Sequence, residues 1–178
     1  MKALVLCDHD LPTFKALPAG PIDVILGCGD IPDSALLQAQ KRYGVPLHAV
    51  KGNHDADGRF PHPIVNLHLA VETFQGLTLG GHEGAPRYKP SGHFLYEEEQ
   101  VAQPMAFFPR VDVFIAHSPT RGVHDRDDVV HQGFEAFRAY ILSKRPGVFI
   151  HGHVDLDRET RLGETRVIAA VGAKVVEL

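Results

Sequence analysis

Short apolar runs alternate with polar segments along the chain and predict a mixed α/β fold. Three runs of branched apolar residues, each followed by turn formers, predict buried strands at Lys2–Cys7, Ile22–Cys28 and Pro46–Val50. Ala35–Tyr43 lies between the last two and has the apolar spacing of a short amphipathic helix, with Asp33 and Ser34 as its expected N-cap. This strand–helix–strand order predicts parallel strands joined by right-handed crossovers.

The pattern changes in the middle of the chain and then returns. Short strands without intervening helices are predicted at Ile64–Val71 and Leu77–Leu79, followed by a surface loop over Gly80–Gly92, which is rich in glycine, proline and charge. Helices are then predicted at Tyr96–Phe108 and Gly133–Lys144, and strands at Val111–Ala116 and Val148–Ile150. Two last runs, Val167–Val171 and Lys174–Val176, are expected to form a hairpin or edge strands.

Composition narrows the class of protein. With 178 residues, 44% of them hydrophobic and 22% charged, we expect a single globular domain spanning residues 1–178. The net charge of −4 provides no basic field, so binding to nucleic acid or to a membrane surface is not expected. The apolar N-terminal run is too short for a signal peptide, and Cys7 and Cys28 are expected to be reduced core thiols. A cytoplasmic protein is the expectation.

Five polar clusters follow predicted strands. They are Asp8-His9-Asp10, Gly29-Asp30-Ile31-Pro32-Asp33, Gly52-Asn53-His54-Asp55, His117 and His151-Gly152-His153-Val154-Asp155. The carboxyl ends of strands in an α/β sheet meet at one edge, where ligands usually bind. Carboxylates gathered there repel one another unless a cation neutralises them. Mixed oxygen and nitrogen ligands suit Mn²⁺, Fe or Zn²⁺ better than Ca²⁺.

Each cluster taken alone also has an ordinary explanation. Asp8 could cap a helix or a turn, Asp30 could belong to a simple turn, and His117 could be a hydrogen-bonded core histidine. The metal interpretation rests on the order of the clusters, because each one follows its own strand.

In this order the motifs resemble the calcineurin-like metallophosphoesterase superfamily, whose motifs are DxH, GDxxD, GNH(D/E), H and GHxH. The second and third are intact here, and the likeness covers essentially the whole chain. It implies a metallo-dependent phosphatase-like sandwich of two mixed β-sheets flanked by helices. The segment 121–133 also resembles small bacterial members of the family.

The resemblance implies one or two divalent metal ions. The first would be held by Asp8, Asp10 and Asp30, with Asp155 as a further ligand, and the second by Asp30, Asn53, His117 and His153. Asp10 and Asp155 depart from the pattern, because each stands where the family has histidine. Two carboxylates in place of two imidazoles make the first site more anionic, which favours Mn²⁺ or Mg²⁺ over Zn²⁺.

The implied activity is hydrolysis of a small phosphomonoester or phosphodiester by metal-activated water. His54 would stabilise developing charge or protonate the leaving group, and Asp55 would fix its ring. Arg87, His82 and Arg121 are candidates for contacts with the substrate, with a solvated loop as the alternative for each.

Two other functions stay open at this stage. The substitutions at Asp10 and Asp155 are compatible with a catalytically impaired protein-interaction module like the small retromer subunit. A nuclease of the same superfamily is the other alternative, against which the acidic net charge argues. The oligomeric state does not follow from the sequence.

Overall fold

The computed structural model describes residues 1–8 and 17–178 and has two β-sheets packed face to face. The first sheet consists of β1 (Lys2–Cys7), β2 (Val24–Cys28), β3 (Leu47–Val50), β4 (Val65–Asn66) and β13 (Gly172–Glu177). Its strand order is β13-β1-β2-β3-β4, with β13 antiparallel to β1 and the other neighbours parallel. The carboxyl ends of β1, β2 and β3 therefore lie at the same edge.

The second sheet is built in the same mixed way. It consists of β5 (Val71–Phe74), β6 (Leu77–His82), β9 (Val113–Ala116), β10 (Val148–His151), β11 (Arg158–Leu162) and β12 (Thr165–Ala169). The order is β11-β12-β10-β9-β6-β5, in which the four central strands are parallel and the two edge strands antiparallel. A short parallel ribbon, β7 (Ala85–Pro86) and β8 (Leu95–Tyr96), stands apart.

Among the described residues, three helices cover the outer faces of the sheets: α1 (Asp33–Tyr43), α2 (Glu98–Phe107) and α3 (Glu135–Lys144). Successive residues of a strand point to opposite faces. Val5 therefore joins the core between the sheets, while Leu4 and Leu6 pack in the cluster that includes α1. Phe114 and Phe149 pack with α2 and α3 on the other side. The layers confirm the predicted sandwich of two mixed sheets flanked by helices.

None of the helices in the described part of the chain is long and apolar enough to cross a membrane.

The middle of the chain differs from the prediction. Within Ile64–Val71 the first strand ends at Asn66, because the Asn66 side chain accepts a hydrogen bond from the His68 amide and begins a turn. Gly80–Gly92 is not a surface loop throughout, since β6 continues to His82. A Cβ at Gly80 would come within 2.9 Å of the Phe108 ring, so a larger residue there would have to displace that ring.

The C-terminal strands and the start of the first helix also differ from the prediction. Of the two expected arrangements at the C-terminus, the hairpin is wrong, because β12 pairs with β10 and β11 while β13 pairs with β1. The alternative of an edge strand is confirmed for β13, which forms one edge of the first sheet. The edge strand β11, whose sequence is dominated by charge, was not predicted. Helix α1 begins at Asp33, and its N-cap residue is Pro32 rather than the expected Asp33 or Ser34. The Asp33 carboxylate does not cap the helix, because it pairs with Lys51 Nζ at 2.7 Å.

Candidate metal centre

The carboxyl ends of strands from both sheets meet at a cleft of about 510 Å³. Asp8 follows β1, Asp30 lies after β2, and His153 lies after β10. The cleft is lined by Asp8, Asp30, Pro32, His54, Val130, His131, His153 and Asp155. Asn53 and His117, which follow β3 and β9, are buried.

Four side chains predicted as ligands of the second metal form one group, which we call the cleft cluster: Asp30, Asn53, His117 and His153. The His117 Nε2 atom is 3.0 Å from Asn53 Oδ1 and 3.4 Å from Asp30 Oδ2. It is also 3.1 Å from His153 Nδ1. Ligand atoms of Asp30, His117 and His153 all lie within 4.8 Å of one another, as a shared cation requires.

Backbone carbonyls set the tautomer of both imidazoles. His117 Nδ1 lies 2.9 Å from the Cys28 carbonyl oxygen, and His153 Nε2 lies 2.7 Å from the Val130 carbonyl oxygen. A carbonyl oxygen only accepts hydrogen bonds, so these two nitrogens carry the protons. Burial lowers the pKa of His153 to about 3, which keeps this ring neutral at physiological pH.

When both rings are neutral, their remaining nitrogens face each other as lone pairs at 3.1 Å, beside carboxylate and amide oxygens. Lone pairs gathered in this way repel one another unless a cation lies among them. Nitrogen and oxygen donors of this kind suit Mn²⁺, Fe or Zn²⁺. The residues present therefore fit a divalent ion.

The carboxylates predicted for the first metal lie beside this cluster. Asp8 Oδ2 accepts a hydrogen bond from the His153 amide at 2.8 Å. Burial raises the pKa of Asp8 to about 6, and the nearby carboxylates of Asp30 and Asp155 contribute in the same direction. Asp155 is exposed and lines the cleft. The fourth candidate, Asp10, lies outside the described residues.

The backbone at the site is held in an unusual conformation. Asp8, Asp30 and His153 have φ values of 54°, 54° and 73°, in the left-handed region. Such a conformation costs on the order of 1 kcal/mol per residue and is found where surrounding contacts enforce it. Gly52 and Gly152 make room, because a Cβ at either would collide with the carboxylate of Asp30 or Asp8.

Asp55 has a different role from the expected one. Its carboxylate accepts hydrogen bonds from the amides of Gly52, Asp30 and Ile31 at 2.7, 3.0 and 2.9 Å. No hydrogen bond joins it to the His54 ring among the described residues, so Asp55 fixes the backbone of two motif loops instead. Three amide donors satisfy the buried carboxylate, which explains why it lies between these loops.

His54 lies on the wall of the cleft beside Asp30. Its amide donates to Asp30 Oδ1 at 2.8 Å, and its exposed ring lines the cleft. The position is compatible with contact between the imidazole and a bound phosphate ester.

The three candidates for substrate contact lie elsewhere, and none is among the described residues that line the cleft. His82 is 1% exposed and packs against Tyr96 and Phe137, because it ends strand β6 inside the protein. Its Nδ1 is 2.7 Å from the carbonyl oxygen of Glu83.

Both arginines are engaged by their own neighbourhoods. Arg87 donates to the Leu95 carbonyl oxygen at 2.6 Å and pairs with Glu97 at 3.0 Å. Arg121 donates to Gln132 at 3.2 Å and lies within 4 Å of two carboxylates, those of Asp125 and Glu135. Their guanidinium groups hold loops together and do not reach the cleft.

Two residues of the cleft were missed by sequence reasoning, namely Val130 and His131. Both belong to the segment 121–133, which we call the 121–133 loop. Its likeness to small bacterial family members was the only sequence signal that singled it out.

A family model described as calcineurin-like phosphoesterase matches residues 8–155 of this chain. The match begins at Asp8 and ends at Asp155, so it contains all five motif positions. A comparison with curated proteins gave no match.

Solved structures share the fold at low sequence identity. Protein TT1561 of Thermus thermophilus is 16% identical, with 96% of this chain and 89% of that chain covered and a TM-score of 0.69. Phosphopantetheinyl hydrolase from Mycobacterium tuberculosis is 14% identical, with coverage of 96% and 89% and a TM-score of 0.65. A single mutant of Vps29 from Entamoeba histolytica is 15% identical, with coverage of 97% and 74% and a TM-score of 0.54.

Proposed function

The chain belongs to the calcineurin-like phosphoesterase family, and we propose that it is a divalent-metal-dependent enzyme that hydrolyses a small phosphomonoester or phosphodiester. The observation that carries the proposal is the pair of imidazole lone pairs in the cleft cluster, which face each other at 3.1 Å. Backbone carbonyls hold both rings in that arrangement, so it is a built feature of the fold.

The cleft cluster would hold one ion, and Asp8 and Asp155 would supply carboxylates for a second next to it. Asp10 is a further ligand of that second ion by the motif order alone. A divalent ion in such a site polarises a phosphoryl group and makes an attacking water more acidic. The carboxylates beside the cluster favour Mn²⁺ because hard oxygen ligands suit it better than they suit Zn²⁺.

His54 would contact the phosphate ester directly. Its ring lies on the cleft next to Asp30, and its amide is fixed by the Asp30 carboxylate. An imidazole at this place can stabilise charge on a phosphoryl oxygen or donate a proton to the departing oxygen. Asp55 supports this geometry indirectly, because it ties the loop that carries His54 to the loop that carries Asp30.

The test is hydrolysis of p-nitrophenyl phosphate and bis-p-nitrophenyl phosphate by the purified protein with added Mn²⁺. We expect turnover that a chelator abolishes and that Mn²⁺ restores. Asp30→Asn and His54→Ala should each lower the rate by about 10²-fold or more. Full activity in either variant would show that the proposed roles are wrong.

The chain offers matched controls for these two substitutions. Asp57 and His93 form an exposed pair whose Oδ2 and Nδ1 atoms are 3.7 Å apart, and neither lines the cleft. Asp57→Asn and His93→Ala should leave the rate unchanged, because they make the same chemical changes away from the site.

A non-catalytic protein-binding role is the second candidate. The structural likeness to Vps29 and the carboxylate of Asp155 in place of a family histidine favour it. Its test is the same assay: a protein that binds Mn²⁺, measured by calorimetry, and yet hydrolyses neither aryl phosphate would support this role over the enzymatic one.

A further inference from the structure

A histidine–carboxylate pair that lies outside the family motifs, His131 with Asp128, contributes to the wall of the cleft. His131 Nδ1 is 2.9 and 3.0 Å from the two carboxylate oxygens of Asp128. A carboxylate accepts hydrogen bonds, so Nδ1 carries a proton, and in the corresponding neutral tautomer the lone pair lies on Nε2. Within the described part of the chain, Nε2 has no hydrogen-bond partner, and the ring lines the cleft. The pair therefore presents an acceptor atom toward bound substrate.

The backbone around His131 is fixed as firmly as the ring. The amides of Val130 and His131 both donate to Asp128 Oδ1 at 3.0 Å. A further hydrogen bond ties the 121–133 loop to the segment that carries His153 and Asp155, because Arg126 donates to the Val154 carbonyl oxygen at 2.7 Å. Asp128 thus both shapes the turn and orients the imidazole that follows it.

The same loop contacts the metal cluster directly. The Val130 carbonyl oxygen accepts the hydrogen bond that sets the tautomer of His153, and the rings of His131 and His153 have centroids 5.3 Å apart. His131 is therefore held beside the cleft cluster, where it would face the part of a substrate adjacent to a phosphoryl group bound at that cluster.

The other side chains of the cleft define what that part of the substrate is. The described lining contains three carboxylates, three imidazoles, one proline and one valine, and neither lysine nor arginine. A leaving group rich in negative charge would find no cationic side chain there. A leaving group with hydroxyl donors would find acceptors, among them Nε2 of His131, whose ring is oriented by Asp128 and does not belong to the cleft cluster.

We propose that His131 determines specificity by accepting a hydrogen bond through Nε2 from a hydroxyl group on the leaving group. The preferred substrates are then phosphate esters of polyhydroxy alcohols. Asp128 is a positioning residue that acts through His131. This inference rests on the proposed phosphoesterase function and adds the substrate class.

The experiment compares two esters with the same three-carbon chain, glycerol 3-phosphate and propyl phosphate, in the presence of Mn²⁺. For the unmodified protein we expect kcat/KM to be about five- to tenfold higher for glycerol 3-phosphate, the size of one hydrogen bond to a buried or half-buried acceptor. His131→Leu should bring this ratio to about one by lowering only the value for glycerol 3-phosphate. Asp128→Ala should also lower this ratio. His131→Gln, which retains an acceptor, should preserve part of the preference for glycerol 3-phosphate.

The exposed pair Asp57 and His93 again supplies the controls, since Asp57→Ala and His93→Leu should leave the ratio unchanged. Equal kcat/KM values for the two esters in the unmodified protein would overturn the inference. So would a loss in His131→Leu that is the same for both esters. If no phosphate is released from either ester or from the aryl phosphates, the phosphoesterase function itself is overturned.

Discussion

The cleft cluster can be compared with a second group of side chains, the aromatic cluster, which consists of His68, His82, Glu83 and Tyr96. Each contains two imidazole rings in contact, with centroids 4.8 Å apart for His117 and His153 and 4.7 Å apart for His68 and His82. Ring spacing therefore does not distinguish the two clusters.

The hydrogen bonds do distinguish them. In the aromatic cluster, donors meet acceptors: the Glu83 amide donates to His68 Nδ1 at 3.2 Å, and the Tyr96 hydroxyl donates to Glu83 Oε1 at 2.5 Å. In the cleft cluster, acceptor atoms of His117 and His153 face each other. A metal site differs from an ordinary polar cluster in that its acceptor atoms face one another with no hydrogen-bond donor between them. The largest difference between the two clusters is therefore expected in the response to metal.

Removing a ligand of the cleft cluster should remove both catalysis and the response to metal. We expect His117→Ala to lower kcat for p-nitrophenyl phosphate by about 10³-fold, since the stabilisation that a metal ion gives to developing charge amounts to several kcal/mol. The rise in Tm that Mn²⁺ produces by binding the folded state should also disappear. A variant that keeps either response would show that His117 does not bind the ion.

The matching change in the aromatic cluster should affect stability alone. His82→Ala should lower the free energy of unfolding by about 3 kcal/mol, because it leaves a cavity between Tyr96 and Phe137. Urea denaturation measures this effect. The Mn²⁺-dependent rise in Tm should persist, and its loss would mean that the aromatic cluster also contributes to metal binding.

The aromatic cluster should also make stability depend on pH. Burial lowers the pKa of His82 to about 3, and the neighbouring His68 adds to this effect. The unfolded chain binds a proton at this side chain below its ordinary pKa of 6.5, whereas the folded protein does not, so stability is lost as pH falls. The contribution is about 2 kcal/mol between pH 7.5 and pH 5.

Replacing His82 with phenylalanine separates this titration from packing. His82→Phe keeps a ring of similar size and should flatten the dependence of the free energy of unfolding on pH by that amount. An unchanged slope in urea denaturation curves at several pH values would show that other groups cause the dependence.

The smallest expected effect concerns the hydroxyl of Tyr96. Burial raises the pKa of Tyr96, so the phenol keeps its proton and donates to Glu83. Tyr96→Phe should lower the free energy of unfolding by about 1 kcal/mol, the usual value of one hydrogen bond. Thermal unfolding measures it, with activity unchanged; a large loss of activity would contradict the separation of the two clusters.

Local patterns predicted most of the central fold. Strand β1 has the predicted bounds, Lys2–Cys7, because a buried parallel strand needs only a short run of branched apolar residues. Strand β6 was predicted to end at Leu79, but it continues through Gly80 and Gly81 to His82. These glycines are closely approached by Phe108 and Ile115, which are distant in sequence, and no local pattern reports such a contact.

The candidate site divides in the same way. The positions of Asp30, Asn53 and His117 after their strands were predicted, and the structure brings these side chains together. The structure does not place His82 or Arg87, two candidates for substrate contact, among the described residues of the cleft, because neighbouring residues in a strand or ribbon can face the interior or another loop.

The sequence by itself determined which donor atoms are available and which strand ends carry them, since strand formation and the order of the motifs depend on adjacent residues. Only the tertiary structure decided which nitrogen of each imidazole is free. The Cys28 carbonyl oxygen sets that choice for His117, and the Val130 carbonyl oxygen sets it for His153. A hydrogen bond requires two groups to meet within about 3 Å, and the fold alone brings residues so far apart in the chain to that distance.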